Sequence, residues 1–220
     1  KVLALVMSVT MILTMAGCAN KNETEGNQSS TSEKLSIGII QYMDHVALDD
    51  ARNGFIDALK DNGYVDGEKI TIDYQNAQGD QSNLSTISDR FVSNKVDLVL
   101  AIATPAAQSI AGKTTEIPIL ATAVTDFVVA KLVESNEAPG GNVSGTTDMN
   151  PIKEQIDLLV KLVPDAKTVG VLYTSSEDNS ILQAKVAKEA IEALGLKYVE
   201  VTVTNSNDVQ QATQSIVEQC

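Results

Sequence analysis

Several short runs in this sequence carry polar groups suited to holding a small charged molecule. Thr104 stands directly before Pro105, so it reads as the cap of a helix starting at Pro105, with its hydroxyl and the N–H groups of Ala106 and Ala107 placed to receive a carboxylate. Ser175 and Ser176 offer a similar arrangement ahead of a second helix near Asn179. Asp126, just past an apolar run, is suited to pair with an ammonium group, and Glu177 is a second carboxylate for that role. An anion site opposite a cation site would read the zwitterion of an α-amino acid, and a cleft that closes would strengthen both by excluding water. Each residue also has a plainer reading. A Thr or Ser before a helix is an ordinary cap worth about 1 kcal/mol, and an Asp commonly begins a turn.

These residues matter only if strands and helices bring them together. From Leu35 onward, short apolar runs alternate with longer amphipathic ones, the pattern of a parallel α/β sheet. Strands are expected at 35–41, 69–74, 96–101, 117–123, 143–146, 168–173 and 197–203. Helices are expected at 48–62, 82–94, 105–111, 151–162, 179–194 and 207–219, with Gly63 and Gly195 closing two of them. The candidate residues then fall at the carboxyl ends of strands, where helix N-termini present free N–H groups and open α/β sheets bind ligands. Pro139-Gly140-Gly141-Asn142 reads as a connection between two lobes, at 35–145 and 146–220. The second is expected to be incomplete, because it holds too little chain to bury a core of its own.

The start of the chain points to export. Val2–Ala16 carries no charge, is shorter than the roughly 20 apolar residues of a membrane span, and is followed at once by polar residues. It closes on Met15-Ala16-Gly17-Cys18, which resembles a lipobox with Met15 where leucine is usual, so 1–17 reads as a signal peptide and Cys18 as the site of lipidation. Residues 18–34 read as the lipidated cysteine and a disordered tether, since 20–34 hold hardly any apolar surface to offset the entropy of ordering. Losing residues 1–17 removes Lys1, so the net charge of −13 becomes −14, a poor match for nucleic acid. With Cys18 acylated, Cys220 has no partner for an internal disulfide. The sequons at Asn22 and Asn83 are taken as chance.

Four motifs carry a family resemblance. Ile37-Gly38-Ile39-Ile40-Gln41 followed by His45 and Leu48-Asp49 resembles the opening strand and helix of the tryptophan/tyrosine-type ABC transporter substrate-binding proteins. Residues 101–108, the run Ala123-Val124-Thr125-Asp126, and 172–180 are similar to that family's strand-to-helix turns, in the same order, although Phe127 stands where the family usually has proline. The resemblance implies a type I periplasmic-binding-protein fold with two Rossmann-like lobes and the ligand in the cleft. It also implies that Gln41, His45, Asp49 and Thr125 lie on the binding side. The expected protein is a lipid-anchored monomer outside the cytoplasm that takes a small solute, an amino acid and by the resemblance an aromatic one, to an ABC permease in the membrane. A sensor of the same fold, passing its ligand's signal to a membrane receptor, is the alternative.

Other classes lack their signatures. There is no dinucleotide-binding, P-loop or nucleophile-elbow motif, so no cofactor and no catalysis are expected. His45 is the single histidine and has no cluster at metal-ligand spacing. With aromatics at 4% and no tryptophan, a sugar-stacking site is disfavoured, though Tyr42 and Phe127 are each either a wall for a planar side chain or core.

Overall fold

Strand β1 (Leu35–Gln41) is apolar on successive residues because both of its faces are covered. Ile37 and Ile39 pack on one side with Leu48, Phe55, Ile56 and Leu59 of helix α1 (Val46–Asp61). Ile40 packs on the other side with Leu84, Ile87 and Phe91 of α2 (Gln81–Ser93) and Ile110 of α3 (Thr104–Ala111). This computed structural model describes residues 34–220. The expected signal peptide, lipidated Cys18 and tether, except Lys34, therefore lie outside the described residues.

A five-stranded, wholly parallel sheet in the order β2-β1-β3-β4-β5 is formed by β1, β2 (Ile70–Asn76), β3 (Leu98–Ile102), β4 (Ile119–Val124) and β5 (Val143–Thr147). The turn-rich run at 139–142 leads into β5, which pairs with β4, so the chain leaves this sheet only after Thr147. Helix α4 (Ile152–Leu162), β6 (Thr168–Thr174), α5 (Asp178–Ala193), β7 (Lys197–Val203) and α6 (Val209–Val217) follow, and β6 and β7 form a second parallel sheet. Its core joins Ile152 and Ile156 to Val169, Ala187 and Ile191.

Local chemistry explains these boundaries. Gly63 and Gly195 follow α1 and α5 at φ +79° and +73°, the left-handed conformation that ends a helix and that glycine adopts without a Cβ clash. Gly38 lets Phe91 cross β1 in contact with the backbone; a Cβ there would lie 2.7 Å from the ring.

Two expected caps are corrected. Thr104 is the first residue of α3, not its cap. Ala103 occupies the cap position with φ +83° and ψ 152° and offers no side-chain bond. Ser175 likewise lies outside α5, whose cap is Glu177, again without a side-chain bond.

Candidate functional site

The carboxyl ends of β1, β3 and β4 face the start of α5, and side chains from the two lobes meet there. Thr104, the first residue of α3, is 2% exposed, and its hydroxyl makes no hydrogen bond. Among the described residues, two buried side-chain atoms have no hydrogen-bond partner: Oγ1 of Thr104 and Oδ1 of Asn179, in the first turn of α5. Leaving such an atom unpaired costs about 1–3 kcal/mol, so a pair of them on facing lobes calls for a reason.

Helix geometry narrows the donors at α3. The amide of Ala107 donates to Ala103 O at 3.1 Å, so it belongs to the helix, contrary to the sequence expectation, and Pro105 has no N–H. The early amides of Thr104 and Ala106 are those a helix leaves open.

Glu177 is half-buried and lies against Tyr42 of the first lobe. Burial first, and then the negative charge of Glu177, push the Tyr42 phenol up to about 12, so it stays neutral at any physiological pH. The Nδ2 of Asn179 donates to Glu177 Oε2 at 3.4 Å, and no Lys or Arg among the described residues pairs with Glu177. Tyr42 and Glu177 border a cavity of about 320 Å³ lined from both lobes, by Tyr42, Met43 and Gln78 on one side and Glu177, Thr204 and Asn205 on the other; Thr104 and Asn179 are not among its lining residues.

Asp126 sits elsewhere. Its Oδ1 accepts from Val129 N at 2.8 Å, a turn bond, and it lines a separate cavity of about 380 Å³ with Phe127 and Ser144 of the first lobe and Met149 just past β5. That cavity is the larger, but no residue of the second sheet or its helices lines it. Phe127 is core, 7% exposed, whereas Tyr42 lines the two-lobed cavity.

Gln41 and Asp49 are occupied with each other. The Gln41 amide donates to Met43 O at 2.8 Å and Asp49 Oδ1 at 2.9 Å, and Arg52 Nη1 donates to both side chains at 3.0 Å while its guanidinium lies 4.4 Å over the Tyr74 ring. This network braces the turn from β1 to α1. His45 caps α1, its Nδ1 accepting from Ala47 N at 3.2 Å. Thr125 is buried, with its hydroxyl accepting from Gln183 Nε2 at 3.4 Å. Ser175 and Ser176 are exposed at the end of β6.

Sequence reasoning missed Ala103, Arg52, Gln108, Asp178 and Gln183. Alanine gives no signal of a positive φ, and a polar residue on a helix surface reads as solvated.

The fold and site place the chain in a class. Two parallel α/β lobes with polar strand ends turned to a shared cleft make a type I periplasmic-binding fold. The chain belongs to the ABC transporter substrate binding protein family, whose model matches residues 36–220. That family is a solute-binding class, and its members work outside the cytoplasm. A tyrosine-binding protein of Clostridioides difficile is 41% identical over 99% of this chain and 64% of its own length. The Streptococcus pneumonia ABC domain solved with L-Trp is 39% identical, with a TM-score of 0.81 over 85% of this chain and 63% of that one. A ligand-free, open substrate-binding protein with adhesive properties from Clostridium difficile is 47% identical, with a TM-score of 0.61 over 84% and 63%. The chain thus spans a little under two thirds of the length of these relatives. No helix among the described residues is long and apolar enough to cross a membrane.

Proposed function

We propose that this chain carries the solute-capturing part of a lipid-anchored receptor of an ABC importer, and that it closes its two lobes on a small amino acid, an aromatic one being favoured by the relatives. The observation that carries this reading is the pair of buried, unpartnered atoms, Thr104 Oγ1 and Asn179 Oδ1, on elements of opposite lobes. A solute carboxylate would satisfy Thr104 Oγ1 and the open amides at the start of α3, where the helix dipole favours negative charge. Its ammonium would meet Glu177, which lines the two-lobed cavity without a cationic partner. Asp126, already bound to Val129 N, would keep its turn in order. A cavity of about 320 Å³ is at the lower edge of small-molecule sites, which suits a solute of this size.

The lobe arrangement supports capture. Of two relatives, the one with the higher identity, open and ligand-free, superposes less well than the L-Trp complex. That order runs against sequence identity, and it supports a lobe setting in this chain nearer to the L-Trp complex than to the open relative. Closure is favoured to the extent that the solute binds the closed state more tightly. A loaded, closed receptor is then what the permease would meet.

The test is isothermal titration of the receptor with L-tyrosine and L-tryptophan. Glu177→Gln is expected to weaken binding by about 2–5 kcal/mol, the usual loss when one partner of a desolvated charge pair is removed. Asp126→Asn is expected to leave the affinity within about twofold and to lower stability by about 1 kcal/mol at most through its turn. The reverse order would return the ammonium to Asp126.

A further inference from the structure

Helix α5 touches the first lobe at two points that are not part of the solute cavity. Gln108, on α3, donates from the same Nε2 to Ala130 O of its own lobe at 3.2 Å and to Asp178 Oδ2 of the second lobe at 2.9 Å. The first bond fixes the amide in place, so the second is offered by a preset arm. Asp178 is the first residue of α5, where a carboxylate is also favoured by the helix N-terminus. At the second point, Gln183 Nε2 donates to Thr125 Oγ1 at 3.4 Å, while Thr125 O accepts from Thr147 Oγ1 at 2.7 Å, so this anchor is also held from behind.

Asn179 stands between these two points. It follows Asp178 and lies four residues before Gln183, which places Asn179 and Gln183 on one face of α5. Two cross-lobe bonds therefore bracket the residue whose Oδ1 is buried and unpartnered. We propose that Gln108–Asp178 and Thr125–Gln183 form a two-point clamp that positions Asn179 in the closed cleft and sets how long the receptor stays shut. The clamp residues are positioning residues that need not touch the solute. This inference rests on the solute-capture reading for its effect on binding, but the clamp itself is a statement about lobe distance.

The experiment separates the two. In the full chain with Cys18 and Cys220 replaced by Ser, spin labels at Asp57→Cys and Glu189→Cys, both exposed and on different lobes, report the interlobe distance with and without saturating L-tyrosine or L-tryptophan. Gln108→Glu sets a carboxylate against Asp178. It is expected to shift the distance toward an open arrangement and to speed amino-acid release about tenfold, with the association rate within about twofold. Gln108→Glu combined with Asp178→Asn restores a donor and is expected to recover most of both effects. Melting curves of the variants close to the parent's show that the lobes themselves are intact. A distance that shifts and recovers as expected supports the clamp even if neither amino acid binds, an outcome that would sink the solute reading alone. An unchanged distance in Gln108→Glu, or a parent protein open under every condition, overturns the clamp.

Discussion

Ala103 is the residue through which α3 is aimed. Its φ of +83° with ψ of 152° lies in a region almost restricted to glycine, and such a conformation costs about 1–3 kcal/mol. A glycine would relieve that strain while losing about 0.4–1 kcal/mol through a freer unfolded chain. Ala103→Gly is therefore expected to be more stable by about 1 kcal/mol, seen as a melting temperature higher by about 2–4 °C. It is also expected to bind solute less tightly, because glycine no longer fixes the direction in which Thr104 is presented. Melting curves with and without L-tyrosine check both parts. Tyr42 offers a second residue-scale test. Burial is the larger cause of its raised pKa, so in Glu177→Gln its ultraviolet titration, read against Tyr42→Phe, should move down from about 12 without returning to the ordinary tyrosine value. The neutral phenol favours the folded state, so its contribution is complete below pH 10 and lost as the pH rises through about 12. Nothing in the sequence marks Ala103, since alanine carries no sign of positive φ. Thr104 was visible as a polar residue at a strand end, but its place before Pro105 suggested a cap that Ala103 in fact provides.

The elements were more legible than the residues between them. β1 and β7 stand at Leu35–Gln41 and Lys197–Val203, as their apolar patterns suggest, because a strand covered on both faces must be apolar on both. The ends of β2, β3 and β4 lie one to two residues beyond the pattern, where hydrogen bonding to a neighbouring strand rather than side-chain type decides. The chain's passage between sheets was less legible, since Pro139-Gly140-Gly141-Asn142 reads as a lobe connection but leads into a strand of the first sheet. The packing of α2 across β1 depends on the absence of a side chain at Gly38. Gly38→Ala would press a methyl group into Phe91 and is expected to cost about 1–3 kcal/mol by overpacking, measured by urea unfolding. Gly38→Ala combined with Phe91→Leu should recover part of that loss.

In the proposed reading the cleft must be held near a permease, and the proposed anchor is Cys18. Cys18→Ala is expected to release the protein from membranes into the soluble fraction after a salt wash; continued partitioning with membranes would mean that the apolar segment 2–16 holds the protein by itself. The charge of the molecule at −13 sets it apart from nucleic-acid binders, and the proposed zwitterion site needs both acidic Glu177, which lines the two-lobed cavity, and the open amides at the start of α3. The central claim is that the unpartnered hydroxyl of Thr104 is kept for the solute. Thr104→Val keeps the shape and removes the hydroxyl, so calorimetric titration with L-tyrosine and L-tryptophan beside a melting curve tests it directly. The expected result is a protein at least as stable as the parent, since an unsatisfied buried group is gone, that binds about tenfold more weakly. Equal affinity in Thr104→Val, or a loss of stability that accounts for the weaker binding, would contradict it.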